Sequence, residues 1–223
     1  MDGLEQSKTS PPETSPISPR DRQVDEHRFF AWDHAGADSR HMRRKHDEML
    51  KHEKWAACWE VACKVVDDSG ILVLLGSRGN GKTQMGVELI RRACMDYEPT
   101  DMDLSYGRPR KVARYIRLRD LHMAIKMAYG LNAQITERDA VVSLTMPHLL
   151  VIDECQESSD SDWAAQTLTY VLDKRYGLMK PTVLIANCLK PQFVKLAGSS
   201  ITDRIKESGG FLMFNWPSFR GAN

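Results

Sequence analysis

The chain has 223 residues, which suits one domain with an appendage. A formal net charge of +1 points to no class of partner, and no apolar run is long enough to cross a membrane. The start lacks the apolar core of a signal peptide, and the five cysteines form no C-x-x-C pair, so a cytoplasmic protein with reduced thiols is expected.

Residues 1–27 read as a disordered tail, because Ser7 to Pro19 is rich in Ser, Thr and Pro and poor in apolar residues. Residues 28–68 read as a partner-binding or linker region. It opens on an aromatic patch, Arg28-Phe29-Phe30-Ala31-Trp32, which serves either as a staple onto the core or as a partner anchor. From Asp38 to Asp68 one helix is predicted. Asp38 or Ser39 caps it, Met49, Ala56, Trp59, Cys63 and Val66 recur at helical spacing, and Gly70 stops it. His27, His34, His41, His46 and His52 fit no standard zinc spacing and read as part of a solvated helical surface.

Residues 69–223 read as a nucleotide-binding domain. An apolar run, Ile71 to Leu75, leads into Gly76-Ser77-Arg78-Gly79-Asn80-Gly81-Lys82-Thr83, which fits G-x-x-x-x-G-K-[ST]. A helix carrying Val87, Leu89, Ile90 and Ala93 follows, so the motif has the strand–loop–helix context that it needs. The glycines permit positive φ and close backbone approach, and the resulting ring of N–H groups, with the positive end of the helix, favours phosphate. Lys82 is expected on the β- and γ-phosphates of ATP and Thr83 on Mg²⁺.

Pro99 to Gly107 reads as a long loop. Arg108 to Arg119 holds Arg108, Arg110, Lys111, Arg114, Arg117 and Arg119 with no acid, and Lys126 sits on the next predicted helix, 120–129. Cations on a phosphate backbone give sequence-neutral, salt-dependent binding, and Tyr115 and Tyr129 are candidates to stack on bases. Alternate residues of a strand face opposite ways, so not all of these cations face one groove. Leu149 to Ile152 is a buried parallel strand ending in Asp153 and Glu154. Asp153 is expected to hold Mg²⁺, and Glu154 to act on the attacking water. A further strand, Thr182 to Ala186, ends at Asn187, placed to face the γ-phosphate.

These motifs, with Gly198-Ser199-Ser200-Ile201-Thr202-Asp203-Arg204-Ile205 and the run Phe211 to Arg220, resemble the AAA+ ATPases and within them the DnaC/IstB group. The last two stretches are similar to the patterns G-E-R-x-x-D-R-[LM] and F-N-W-x-S-[YF]-R. The resemblance covers about residues 55 to 220. It implies a three-layer α/β P-loop AAA+ core with a mainly parallel five-stranded sheet of order 5-1-4-3-2, without a C-terminal lid. The strands are expected near 71–75, 112–118, 149–153, 182–186 and 211–214. It makes Asn187 resemble sensor 1 and puts Arg204 in the place of an arginine finger that reaches the ATP of a neighbouring subunit of a homo-oligomer, with Arg175 as helper. It makes Arg114, Arg117, Arg119 and Lys126 candidates for gripping single-stranded DNA. The chain departs from the pattern where Ser199-Ser200 replaces Glu-Arg. The function it implies is a weak, DNA-stimulated ATPase that delivers a replicative DNA helicase. An IstB-like transposition helper and a non-hydrolysing assembly module share the same core.

Overall fold

The computed structural model describes residues 17–105, 112–129, 134–157 and 162–220. Arg108, Arg110, Lys111 and most of the expected N-terminal tail lie outside them. The N-terminal elements are α1 (Pro19–Asp33), α2 (Ser39–Met42), α3 (His46–Leu50) and α4 (Glu53–Asp67). Then come β1 (Ile71–Gly76), α5 (Lys82–Met95), α6 (Asp101–Ser105), β2 (Ala113–Arg117), α7 (Leu118–Met127) and α8 (Glu137–Thr145). The chain continues through β3 (Leu149–Asp153), a 3-10 turn (Cys155–Glu157), α9 (Asp162–Gly177), β4 (Thr182–Ala186), α10 (Lys190–Ser208) and β5 (Gly210–Phe214).

The five strands form one sheet in the order β2-β3-β4-β1-β5, and every pairing is parallel. This is the expected 5-1-4-3-2 order. β1, β3 and β4 are buried along their whole length, which is why each reads as an unbroken apolar run. Alternate residues feed two cores. Leu72, Leu74, Val151 and Ile185 pack with Met49, Trp55 and Met85 on one side, while Val73, Leu75, Ile152 and Leu184 pack with Leu121, Leu172 and Ile205 on the other. The molecule is therefore three layers, with the first five helices on the face opposite α7–α10. Each such side chain contributes about 1.5–3 kcal/mol by leaving water. Gly86 lets α5 approach closely, since a Cβ there would stand 2.9 Å from both Val151 and Ile185. No described helix is long and apolar enough to cross a membrane.

Two N-terminal expectations change. α1 reaches back to Pro19, inside the stretch read as tail; the Ser18 hydroxyl accepts from the Asp21 amide at 3.1 Å and Pro19 opens the helix. The single helix over 38–68 is instead three, separated by extended residues at Lys45 (ψ 133°) and His52 (ψ 99°). Those turns let Met49 and Trp55 both reach the phosphate loop, and both are fully buried.

Candidate active site

The carboxyl ends of β1, β3 and β4 bring the sequence-predicted residues to one edge of the sheet. They line a cleft of about 310 Å³ with Arg78, Gly79, Asn80, Gly81, Lys82, Thr83, Asp153, Glu154 and Asn187 in its wall. Gly76, Gly79 and Gly81 have φ of 141°, 85° and 90°, which glycine adopts without strain. Side chains there would also collide: a Cβ on Gly79 would lie 2.1 Å from the Ser218 hydroxyl.

The loop is braced from behind. The Asn80 amide donates to the Phe214 carbonyl at 2.6 Å, and the indoles of Trp216 and Trp55 donate to the Asn80 and Gly81 carbonyls, each at 3.1 Å. The Phe219 amide donates to the Gly79 carbonyl at 2.8 Å. The aromatic run after β5, quoted above only as a resemblance, thus has a physical task in fixing the loop.

Lys82 is 3% exposed. Its ammonium donates to the Gly76 and Ser77 carbonyls at 2.9 and 2.6 Å and to Asn80 Oδ1 at 3.0 Å. Burial lowers its pKa to about 8, with the Asp153 charge opposing that shift. The Thr83 hydroxyl donates to Asp153 Oδ2 at 2.8 Å, tying loop to strand. Asp153 Oδ2 also accepts from the Tyr115 hydroxyl at 2.8 Å, and Oδ1 from the Glu154 amide at 2.6 Å. A carboxylate so fixed beside a threonine hydroxyl fits Mg²⁺, which takes one or two carboxylate oxygens and completes its shell with water and phosphate.

Glu154 holds a left-handed backbone (φ 58°), uncommon for a non-glycine residue, and faces the cleft. Burial, then the charges of Glu157 and Asp153, raise its pKa, against the pull of Arg117. The Asn187 backbone N–H donates to Gln156 Oε1 at 2.8 Å.

The remaining expected residues make contacts of their own. Tyr115 is buried on Asp153 and does not stack on a base, and burial beside that carboxylate pushes its hydroxyl pKa up. Tyr129 is exposed, its hydroxyl donating to Glu137 at 2.9 Å. Arg114 donates to the Ser143 carbonyl and hydroxyl at 2.9 and 2.6 Å. Arg117 pairs with Asp38 at 2.6 Å and lies 3.7 Å from Glu154. Arg119 is exposed, and Lys126 lies over the Trp163 ring at 4.8 Å. Arg204 stands on α10, outside the cleft, paired with Asp173 at 3.2 Å and 5.7 Å from the Tyr176 ring centre. Arg175 is no helper at this site. It is fully buried and bonds the Thr182 hydroxyl and the carbonyls of Leu144, Pro147, His148 and Pro181.

Sequence reasoning missed the N-terminal wall of the cleft, made by Arg40, His41 and Arg44. The His41 Nδ1 sits 2.9 Å from Gln84 Oε1, and Gln84 donates back to the His41 carbonyl at 3.0 Å. Nothing in a single sequence announces that contact; the reciprocal pairing of residues 41 and 84 would show only as covariation.

No protein-family model matches the chain. Among curated proteins it is 27% identical over 106 residues to the replicative helicase loader DnaC of Escherichia coli (strain K12), a match covering 47% of this chain and 43% of that protein. The match thus spans less than half the length of that relative. Among solved structures, the DnaC helicase loader superposes with a TM-score of 0.52 at 18% identity, covering 72% of this chain and 89% of the other. The replication initiator DnaA bound to AMPPCP and single-stranded DNA gives 0.52 at 16% identity, covering 70% and 45%. At those identities the structural likeness speaks for the fold alone. Sheet order, phosphate loop and curated match point one way: the chain is similar to AAA+ proteins of the DnaC type.

Proposed function

We propose that this protein is an ATP-driven loader of a replicative DNA helicase that also binds single-stranded DNA. The observation that carries the reading is the Thr83–Asp153 contact at 2.8 Å, which joins loop and acidic strand into one nucleotide site. The similarity to a relative named as a helicase loader supplies the partner, and the fold shared with a DnaA bound to AMPPCP and single-stranded DNA supports the two ligands.

In this reading the loop amides and Lys82 bind the triphosphate, and Thr83 and Asp153 hold Mg²⁺. The ion would neutralise charge on the β- and γ-oxygens. Glu154 accepts a proton from, or orients, the attacking water; burial raises its pKa, which makes it a stronger base than an exposed carboxylate. Asn187 donates toward the γ-phosphate. Arg204 acts on the ATP of a neighbouring copy, because it stands outside its own cleft.

DNA contact falls to the exposed face of α7. Arg119, Met123, Lys126 and Met127 are exposed and share one side of that helix, while Leu118, Leu121 and Ile125 are buried. Cations with apolar side chains between them suit a backbone with stacked bases.

ATP turnover with and without single-stranded DNA, and co-purification with a replicative helicase, test the reading together. Turnover that DNA raises and Lys82→Ala abolishes, with ATP-dependent retention of the helicase, is the expected result. Normal ATP affinity in Lys82→Ala would sink it.

A further inference from the structure

We propose that Arg40 and Arg44, from the N-terminal segment, are part of the nucleotide site and contact the phosphates of the bound triphosphate. The proposal rests on the ATP reading given above and adds a second, N-terminal source of positive charge to it.

Three observations carry it. First, Arg40 and Arg44 line the same cleft as Lys82, Thr83, Asp153 and Glu154, though they lie about forty positions earlier in the chain. Second, neither forms an ion pair with a carboxylate among the described residues, whereas Arg91, Arg92, Arg117 and Arg204 each do. Uncompensated cations facing one cleft raise its affinity for anions, and guanidinium suits phosphate oxygens geometrically.

Third, the segment is held there by built contacts. Arg91 Nη2 donates to the Met42 and Arg44 carbonyls at 2.7 and 3.2 Å, and Arg91 is itself paired with Glu88, 2.9 Å away and 2% exposed. Arg40 Nε lies 3.2 Å from His41 Nε2, so that nitrogen accepts and Nδ1 carries the proton offered to Gln84 Oε1. Gln84 Nε2 then donates to Glu88 at 2.8 Å and to the His41 carbonyl at 3.0 Å. A chain of polar contacts therefore runs from Arg40 through the first turns of α5.

Two consequences follow from that geometry. The phosphates would bridge α5 and the N-terminal segment, so each would be held more firmly with nucleotide bound. By linkage, whatever pulls the segment away from α5 would weaken nucleotide binding by the same factor. A partner engaging the N-terminal segment would thereby be coupled to the site.

The test measures affinities of AMP, ADP and the non-hydrolysable triphosphate AMPPCP for the full chain, for Arg40→Ala, for Arg44→Ala and for the double variant, with Lys82→Ala alongside. The expected loss for the double variant is about 10- to 100-fold for the triphosphate and smaller for each shorter nucleotide. Should the double variant fail to fold, Arg44→Lys and amide exchange of the parent serve instead: residues 38–44 should exchange more slowly when AMPPCP is bound. A parent that binds no nucleotide overturns both the ATP reading and this inference. A parent that binds, with Lys82→Ala impaired and the arginine variants unchanged, overturns the inference alone. Equal loss for AMP and AMPPCP overturns the assignment to phosphate.

Discussion

Lys82 shows how much one residue's surroundings decide. Its ammonium sits among three oxygens in a buried loop, and burial takes its pKa down to about 8. Phosphates would favour the charged form and raise that value again. In the free protein the lysine is charged below pH 8 and increasingly neutral above it, so binding above pH 8 requires proton uptake. Triphosphate affinity should be level between pH 6 and 7.5 and then fall as pH rises through 8, by up to tenfold per unit. Calorimetry in two buffers of different ionisation heat should detect an absorbed proton at pH 8.5 and almost none at pH 6.5. Lack of uptake at pH 8.5 would mean that Lys82 does not meet the ligand.

Arg175 teaches the opposite lesson. The resemblance makes it a helper of the finger, yet its guanidinium is fully buried and bonded to carbonyls that end α8, precede β3 and precede β4. Arg175→Met should leave several of those carbonyls unpaired and cost about 3–5 kcal/mol, lowering the melting temperature by roughly 10 °C. Triphosphate affinity below the transition should stay at the parent value. Unchanged melting would refute this structural role. Consecutive residues such as Gly76 to Thr83 were legible in the sequence because neighbours in the chain stay neighbours in space. Arg175, Tyr115 and His41 were not, because their partners lie 6 to 43 positions away and only the packed fold selects them.

At the scale of elements, the strands were the most legible feature. All five lie within a residue or two of expectation, and β1, β3 and β4 stand out most plainly, since burial on both faces leaves an uninterrupted apolar run. The N-terminal helices were less so. Helical periodicity does not reveal that the chain must turn at Lys45 and His52 to bring Met49 and Trp55 onto the loop, and tertiary packing prevailed. The same docking brings the segment before α2 to the end of β2. The Tyr115 amide donates to the Ala35 carbonyl at 2.7 Å, and Asp38 pairs with Arg117, which also faces Glu154. Asp38 thus competes with Glu154 for one guanidinium. Asp38→Asn should let Arg117 close on Glu154, lower the pKa of that carboxyl and move the acid limb of the turnover profile to lower pH. The turnover number should fall severalfold at unchanged KM for ATP, and Arg117→Ala in the same chain should cancel the shift of the acid limb. A rise in KM without any movement of that limb would argue for mere loosening of the segment.

At the scale of the whole molecule the open question is assembly, and Arg204 carries it. The residue lies on the second half of α10, which restarts after Gly198 breaks the helix with φ 76° and ψ 172°. That break accounts for the glycine in the stretch Gly198 to Arg204 without any need for the Glu-Arg that the family pattern places after it. From there the guanidinium rests on Asp173 and Tyr176 and lines no part of its own cleft. If it completes a neighbour's site, two inactive proteins should repair each other. Arg204→Ala binds ATP but lacks the finger; Lys82→Ala cannot bind ATP but still carries Arg204. Mixed with the helicase and single-stranded DNA present, they should regain a sizeable fraction of parent turnover, greatest near equal amounts, because some interfaces then join an intact loop to an intact finger. A finger acting within its own chain predicts no recovery at any ratio. An Arg204→Ala protein that hydrolyses ATP at the parent rate would reduce the residue to a surface partner of Asp173. Stabilisation of charge on the transferring phosphoryl group by such a finger accounts for 10³–10⁵ in rate elsewhere, so even partial complementation would stand well clear of background.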